Sequence, residues 1–200
     1  MAINIVTFKI TGLSPILMNN PISMSDDDSK GVKARTKKES PEVEAQKGLY
    51  VMEDGTLYVP SIAFRASLWY GSSYQKIGKE SARNMIQAAC FTIEEKTPLL
   101  DPSNEKPIKS YEIDSRTVVI KATGGRVMRH RPKVPEWMCL LPLEIDTDYI
   151  TPEIITTLFN RAGKITGILD YRPANRGWFG RYQVEIYNGA GSAKRKKIKM

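Results

Sequence analysis

The sequence predicts an α+β domain with a ferredoxin-like, RRM-like antiparallel sheet that carries two main helices on one face. Three observations predict it. Strict apolar-polar alternation marks "VTFKI" near the start and "RYQVEIY" near the end, the signature of half-buried strands. Two stretches between them, "VPSIAFRASLWYG" and "TPEIITTLFNRAG", repeat apolar residues at helical spacing. "IDSRTVVIK" and "MCLLPLEID" add two strands between the helices, giving the order strand, helix, strand, strand, helix, strand.

Each element has its own justification. In the first strand Val6, Phe8 and Ile10 alternate with Thr7, Lys9 and Thr11 until "GLSP" ends it. Residues 20–48 are polar and nearly free of aliphatics, which predicts a mobile insertion with a short helical turn over 41–47. Pro60 and Ser61 mark a helix start, with Ile62, Ala66, Trp69 and Tyr70 on one face. Ala82, Met85, Ile86 and Ala89 share a face of a second helical segment over 81–89, "CFTIEE" is a short strand and "KTPLLDPSNEKP" is loop. Pro142 suggests that the "MCLLPLEID" strand lies at an edge or carries a bulge. In the last helix Thr151 caps, Pro152 suits the first turn, Ile154, Ile155, Leu158, Phe159 and Ala162 form the apolar stripe, and Gly163 stops it.

At 200 residues, 41% hydrophobic and 26% charged, the chain reads as one globular domain over 1–188 with a basic flexible tail over 189–200. No apolar run approaches the ~20 residues of a membrane span, and the start of the chain lacks the pattern of a secretory signal. Cys90 and Cys139 stand apart without metal-ligand spacing, so no structural zinc and no cofactor is expected. These features predict a soluble, cytoplasmic protein without a membrane partner.

The net charge of +8 suggests a polyanionic partner, and its placement sharpens the suggestion. Residues 22–47 hold six acids and six bases, which cancel, whereas residues 121–133 hold five Lys and Arg and no acid. That segment reads as part of a projecting hairpin over 121–137. The tail carries another five bases and suits either a phosphate backbone or a solvated end. Between the last helix and last strand, "GILDYRPANRGWFGRYQVE" combines three glycines, three arginines and four aromatics. Glycines there allow positive φ and close approach, exposing N–H groups to phosphate, while arginines supply forked donors. Tyr171, Trp178 and Phe179 suit stacking on bases.

A glycine-rich loop after the second main helix resembles that of the RAMP superfamily, the repeat-associated proteins of CRISPR systems. Gly163, Gly167, Gly177 and Gly180 carry the resemblance, with Arg172, Arg176 and Arg181 interleaved; a family-like "GIGD" has glycine where this chain has Leu169. "FKITGLSPILMNN" is similar to the first strand of these proteins and "GTLYVPSIAFRASLWYG" to their turn and first helix. The basic segment falls where backbone subunits of the family carry a thumb-like hairpin. The resemblance implies a non-catalytic protein that coats a CRISPR RNA, or another single-stranded RNA or DNA, as a helical row of copies of itself beside other effector subunits. Its nucleic-acid contacts would be Arg65, Arg126, Arg129 and Arg131 together with Gly167, Tyr171, Arg172, Arg176, Gly177, Trp178, Gly180 and Arg181.

Other readings share this fold. One is a viral or mobile-element protein that binds or anneals single-stranded DNA, and another is a decoy of a backbone subunit. A third is a RAMP-type endoribonuclease using His130 as general base, or Asp26, Asp27 and Asp28 to hold a metal ion.

Overall fold

The computed structural model describes residues 2–21, 40–119 and 124–188. The expectations for Asp26 to Asp28 and for the basic tail therefore fall outside the described residues.

Strand β1 (Ile3–Gly12) buries Phe8 and Ile10, as its alternation predicts, and β2 (Ile16–Leu17) follows after Pro15. Helix α1 (Pro41–Lys47) begins at Ser40, whose side chain accepts from the Val43 N–H, and it buries Ala45. Strand β3 (Tyr58–Pro60) leads into α2 (Ser61–Gly71), and the small β4 (Lys76–Ile77) and β5 (Glu80–Ser81) precede α3 (Ala82–Ala89). Next come β6 (Cys90–Thr92), β7 (Lys96–Pro98), β8 (Glu112–Val119), β9 (Arg126–Val134) and β10 (Met138–Asp146). Helix α4 (Pro152–Ile165) and β11 (Tyr182–Ile186) complete the chain.

The main sheet has four strands in the order β11-β1-β10-β6, with every neighbour antiparallel. Counting only these strands, the order is fourth, first, third, second, as a split βαβ fold requires. Phe8, Leu141, Leu143 and Ile145 face the helices and meet Phe64 and Leu68 of α2 and Phe159 of α4 in one apolar core. Tyr182 fastens the layers: its ring lies edge-on to Phe64 at 6.0 Å and to Phe159 at 6.3 Å, and its hydroxyl bonds Ser67 Oγ at 2.9 Å. A second sheet, β2-β9-β8, carries the basic hairpin.

Five expectations need correction. Strand β8 pairs with β9 over 112–119 and 126–133, so the hairpin predicted over 121–137 omits the whole of its first strand. Helix α2 turns Phe64, Leu68 and Gly71 inward and leaves Ile62 and Tyr70 exposed, because the other face is the one that fits the sheet. The presumed loop "KTPLLDPSNEKP" opens with strand β7, whose Thr97 Oγ1 pairs with the hydroxyl of Ser61 at 2.7 Å at the start of α2. Gly163 lies inside α4, where any Cβ would strike the Tyr182 backbone, and the helix runs on to Ile165. Pro142 sits in an inner strand, and its register explains how. The Gly12 N–H donates to Trp137 O at 2.9 Å, so alternate pairs of the β1-β10 ladder are hydrogen-bonded and Thr7-Pro142 is not one of them. The missing N–H therefore points toward β6, whose pairing ends at Leu143.

Candidate nucleic-acid interface

The glycine-arginine loop is a closed, left-handed path. Gly167 and Gly180 have φ of +66° and +65°, and Leu169, Tyr171 and Arg176 take φ of +57°, +52° and +62° without being glycine. Such residues are strained unless their surroundings hold them. A Cβ on Gly167 would lie 2.7 Å from Pro173 Cδ and 3.0 Å from Gly180 O, while Gly177 packs on the Tyr171 carbonyl and Gly180 on that of Ile168. Leu169 adopts the conformation that glycine favours at the corresponding place in the family-like motif.

The glycines do not offer their N–H groups to a ligand. Gly167 donates to Ala162 O at 3.0 Å, Gly177 to Arg172 O at 3.0 Å and Gly180 to Pro15 O at 2.8 Å. Their contribution is steric: they let three backbone segments touch. Anion recognition at this loop falls to side chains.

Two side chains bind the hairpin to the loop. Arg131 Nε lies 2.9 Å from Asp170 Oδ2, both largely buried. Arg116 on β8 is held by Asp114 in a two-pronged pair and lies over two loop rings, 4.6 Å from the Phe179 centroid and 5.3 Å from that of Tyr171. The hydrogen bonds that Arg116 donates to Asp114 push its pKa further up. Arg131 pairs across the strands with Asp114, and Arg129 with Arg116, so these four share one hairpin face.

The predicted contacts divide into two groups. Arg176 is exposed at the end of a short 3-10 turn, Arg126 is exposed at the outer end of β9, and Trp178 is 54% exposed beside Phe179, with ring centroids 4.7 Å apart. Arg181 is half-buried; its backbone N–H donates to Ser14 Oγ at 3.0 Å, and its side chain has no ion-pair partner among the described residues. The rest are engaged. Arg129 pairs with Glu44 of α1 at 3.3 Å, Arg172 donates to Leu169 O at 3.1 Å, Tyr171 lies under Arg116, and Phe179 is buried beyond the reach of a base. Arg65 belongs elsewhere: it donates to Cys90 O at 2.8 Å and Gln87 O at 3.3 Å. Sequence reasoning missed Arg116, Asp114 and Asp170, although charges alternating at 112, 114 and 116 opposite 133, 131 and 129 were a usable signal.

Solved structures resemble this architecture. A chain of the type III-B Cmr-beta complex bound to cognate target RNA matches with a TM-score of 0.57 at 10% identity, over 92% of this chain and 60% of that one. The two chains share a fold. Cmr6 from Pyrococcus furiosus matches with a TM-score of 0.46 at 11% identity, over 92% of this chain and 100% of the other. A chain of a type IV-B CRISPR complex matches with a TM-score of 0.42 at 12% identity, over 98% and 95% of the two chains. The chain thus spans 60% of the Cmr-beta chain. No protein-family model and no curated protein matches the sequence. Among the described residues no helix is long and apolar enough to cross a membrane.

Proposed function

We infer that the chain is a non-catalytic, single-stranded RNA-binding subunit of a CRISPR assembly, one of a row of protomers that coats a CRISPR RNA along its phosphates. The docking of the basic hairpin on the glycine-arginine loop carries this reading. Through Arg131-Asp170 and Arg116-Phe179, two cationic segments far apart in sequence become one surface. Arg126, Arg176 and Arg181 stand on it without an acidic partner among the described residues, and their forked donors suit phosphate oxygens. Trp178 offers an exposed ring to a base. The fold shared with a chain of an RNA-bound complex supports the same reading.

Fluorescence anisotropy with RNA and DNA of equal length and sequence, at low and moderate salt, tests it. RNA is expected to bind more tightly, to lose affinity as salt rises, and to be recovered uncut. Replacing Arg126, Arg176 and Arg181 together by alanine is expected to lower the salt slope by about 2, from ~0.7 per phosphate contact on a single strand. Equal or tighter DNA binding would favour a DNA-coating protein, and binding to neither would remove the nucleic-acid reading.

A further inference from the structure

Helix α2 is apolar on two sides. Beyond its core face, Ile62, Ala66, Trp69 and Tyr70 form a second stripe at i, i+4, i+7 and i+8, and Ile62 and Tyr70 remain 57% and 55% exposed. A helix apolar all round is normally covered on all sides, yet Ile62 and Tyr70 have no cover among the described residues. Arg83 of α3 lies over the Trp69 ring, 3.4 Å from its centroid. The groove beside it, lined by Ile62, Arg65, Ala66, Trp69, Tyr70 and Gln87, contains no carboxylate. The patch sets exposed Tyr70 beside half-buried Trp69, Arg65 and Arg83, the residue types that dominate binding energy at protein interfaces.

The sheet face turned away from α2 and α4 has the opposite character. Ile5 on β1 and Phe91 on β6 flank Glu144 of β10 in one cross-strand row, and Ile3 stands opposite Asp146. Ile5 and Phe91 are 42% and 44% exposed. The next row is Thr7-Pro142, and the first cation along β1 is Lys9, which pairs with Glu185. Phe91 marks the rim of this strip, with Arg65 5.2 Å from its ring centroid.

We propose that these are the two halves of one head-to-tail contact between copies of this chain: the α2 stripe of one protomer docks on the Ile3-Ile5-Glu144-Asp146 strip of the next. Charge decides the pairing. Arg65 borders both surfaces, and Arg83 belongs to the stripe alone. Stripe against stripe would set Arg83 against itself, and strip against strip would oppose Glu144 and Asp146; the cross contact sets Arg83 toward those carboxylates and apolar side chains against apolar side chains. A contact between unlike surfaces leaves one of each free and so continues from copy to copy. This assignment rests on the row-of-protomers reading and supplies its contact surfaces.

Sedimentation velocity on the full chain, free of nucleic acid, tests the contact with Ile62→Glu to disable the stripe and Ile5→Lys to disable the strip. Arg83→Glu is a second stripe variant, and circular dichroism confirms that all three are folded. The wild type is expected to form species beyond the dimer as concentration rises, and each variant to remain a monomer. An equimolar mixture of I62E and I5K should give a dimer and nothing larger, because one intact stripe meets one intact strip. A wild type that stays monomeric, single variants that assemble like it, or a mixture that stays monomeric would each overturn the proposal. Anisotropy with an RNA too short for two protomers separates the two failures: unchanged binding by the variants keeps the nucleic-acid reading even when the contact fails.

Discussion

Arg131 and Asp170 join the hairpin to the loop, and neither could be replaced without disturbing the other. Arg131 Nη1 is already buried without an acceptor. Asp170 Oδ2 is likewise buried without a hydrogen-bond partner, so the contact at 2.9 Å is an ion pair, and removing the carboxylate would leave a largely buried guanidinium without its counter-charge. Asp170→Ala should therefore cost roughly 1–3 kcal/mol in urea denaturation, the usual penalty for a buried polar group left without its partner; a loss within about 0.5 kcal/mol would mean that the pair behaves as an ordinary surface contact. The cysteines give a prediction for the alkaline range. Burial pushes the Cys90 thiol up to about 12 from 9.0 and raises that of Cys139 as well. Burial also raises the Tyr182 hydroxyl. The folded state thus holds protons that the unfolded chain releases above pH 9, so stability should fall as pH rises from 9 toward 12, in contrast to the flat profile expected were these groups solvated. Denaturant midpoints across that range would show it, and a thiol reagent at neutral pH should label neither cysteine until the protein unfolds.

At the scale of elements, the main sheet ends in side-chain plugs. The Tyr187 N–H donates to Thr7 O at 2.9 Å, which fixes the alternation along β1-β11 and turns the Val184 N–H and C=O outward. Asn160 of α4 meets both, accepting from the N–H at 2.8 Å and donating to the carbonyl at 2.8 Å. At the other edge Arg65 covers the Cys90 carbonyl. Asn160→Ala should cost about 1–2 kcal/mol for two net hydrogen bonds. It should also raise light scattering at high concentration, because an unplugged edge can pair with another chain. The elements themselves were readable wherever one pattern dominated. Thr151, Pro152 and the stripe from Ile155 to Ala162 announce α4, and Phe8 and Ile10 announce β1. Helix α2 misled because both its faces are apolar and only the tertiary fit of Phe64 and Leu68 selects one. β7 escaped because Lys-Thr-Pro has no strand pattern of its own; its pairing with β3 makes it a strand.

At the scale of the molecule, the cationic surface was only partly readable, since charge is written in the sequence and its neutralisation is not. Arg129 and Arg131 look as available as Arg126 until folding brings Glu44 and Asp170 to them. The loop glycines look like phosphate ligands until the carbonyls of Ala162, Arg172 and Pro15 claim their N–H groups. What remains is a surface with two separable parts, a loop anchored in the core and a hairpin whose outer end extends past the Arg116-Phe179 contact. The Met18 N–H donates to Pro132 O, so Pro132 faces β2, and the alternation along β8-β9 makes Val118-Val127 a hydrogen-bonded pair. Residues 119–126 can therefore be replaced by a two-residue Asn-Gly turn without changing the register below. The shortened protein keeps Arg116, Asp114, Arg131 and Asp170 and should unfold at a denaturant midpoint close to that of the wild type. It loses Lys121 and Arg126, and if both meet phosphates its salt slope for single-stranded RNA should drop by about 1.4, from ~0.7 per contact. An unchanged slope in a folded, shortened protein would confine the interface to the loop, with Arg176 and Arg181 as its cations.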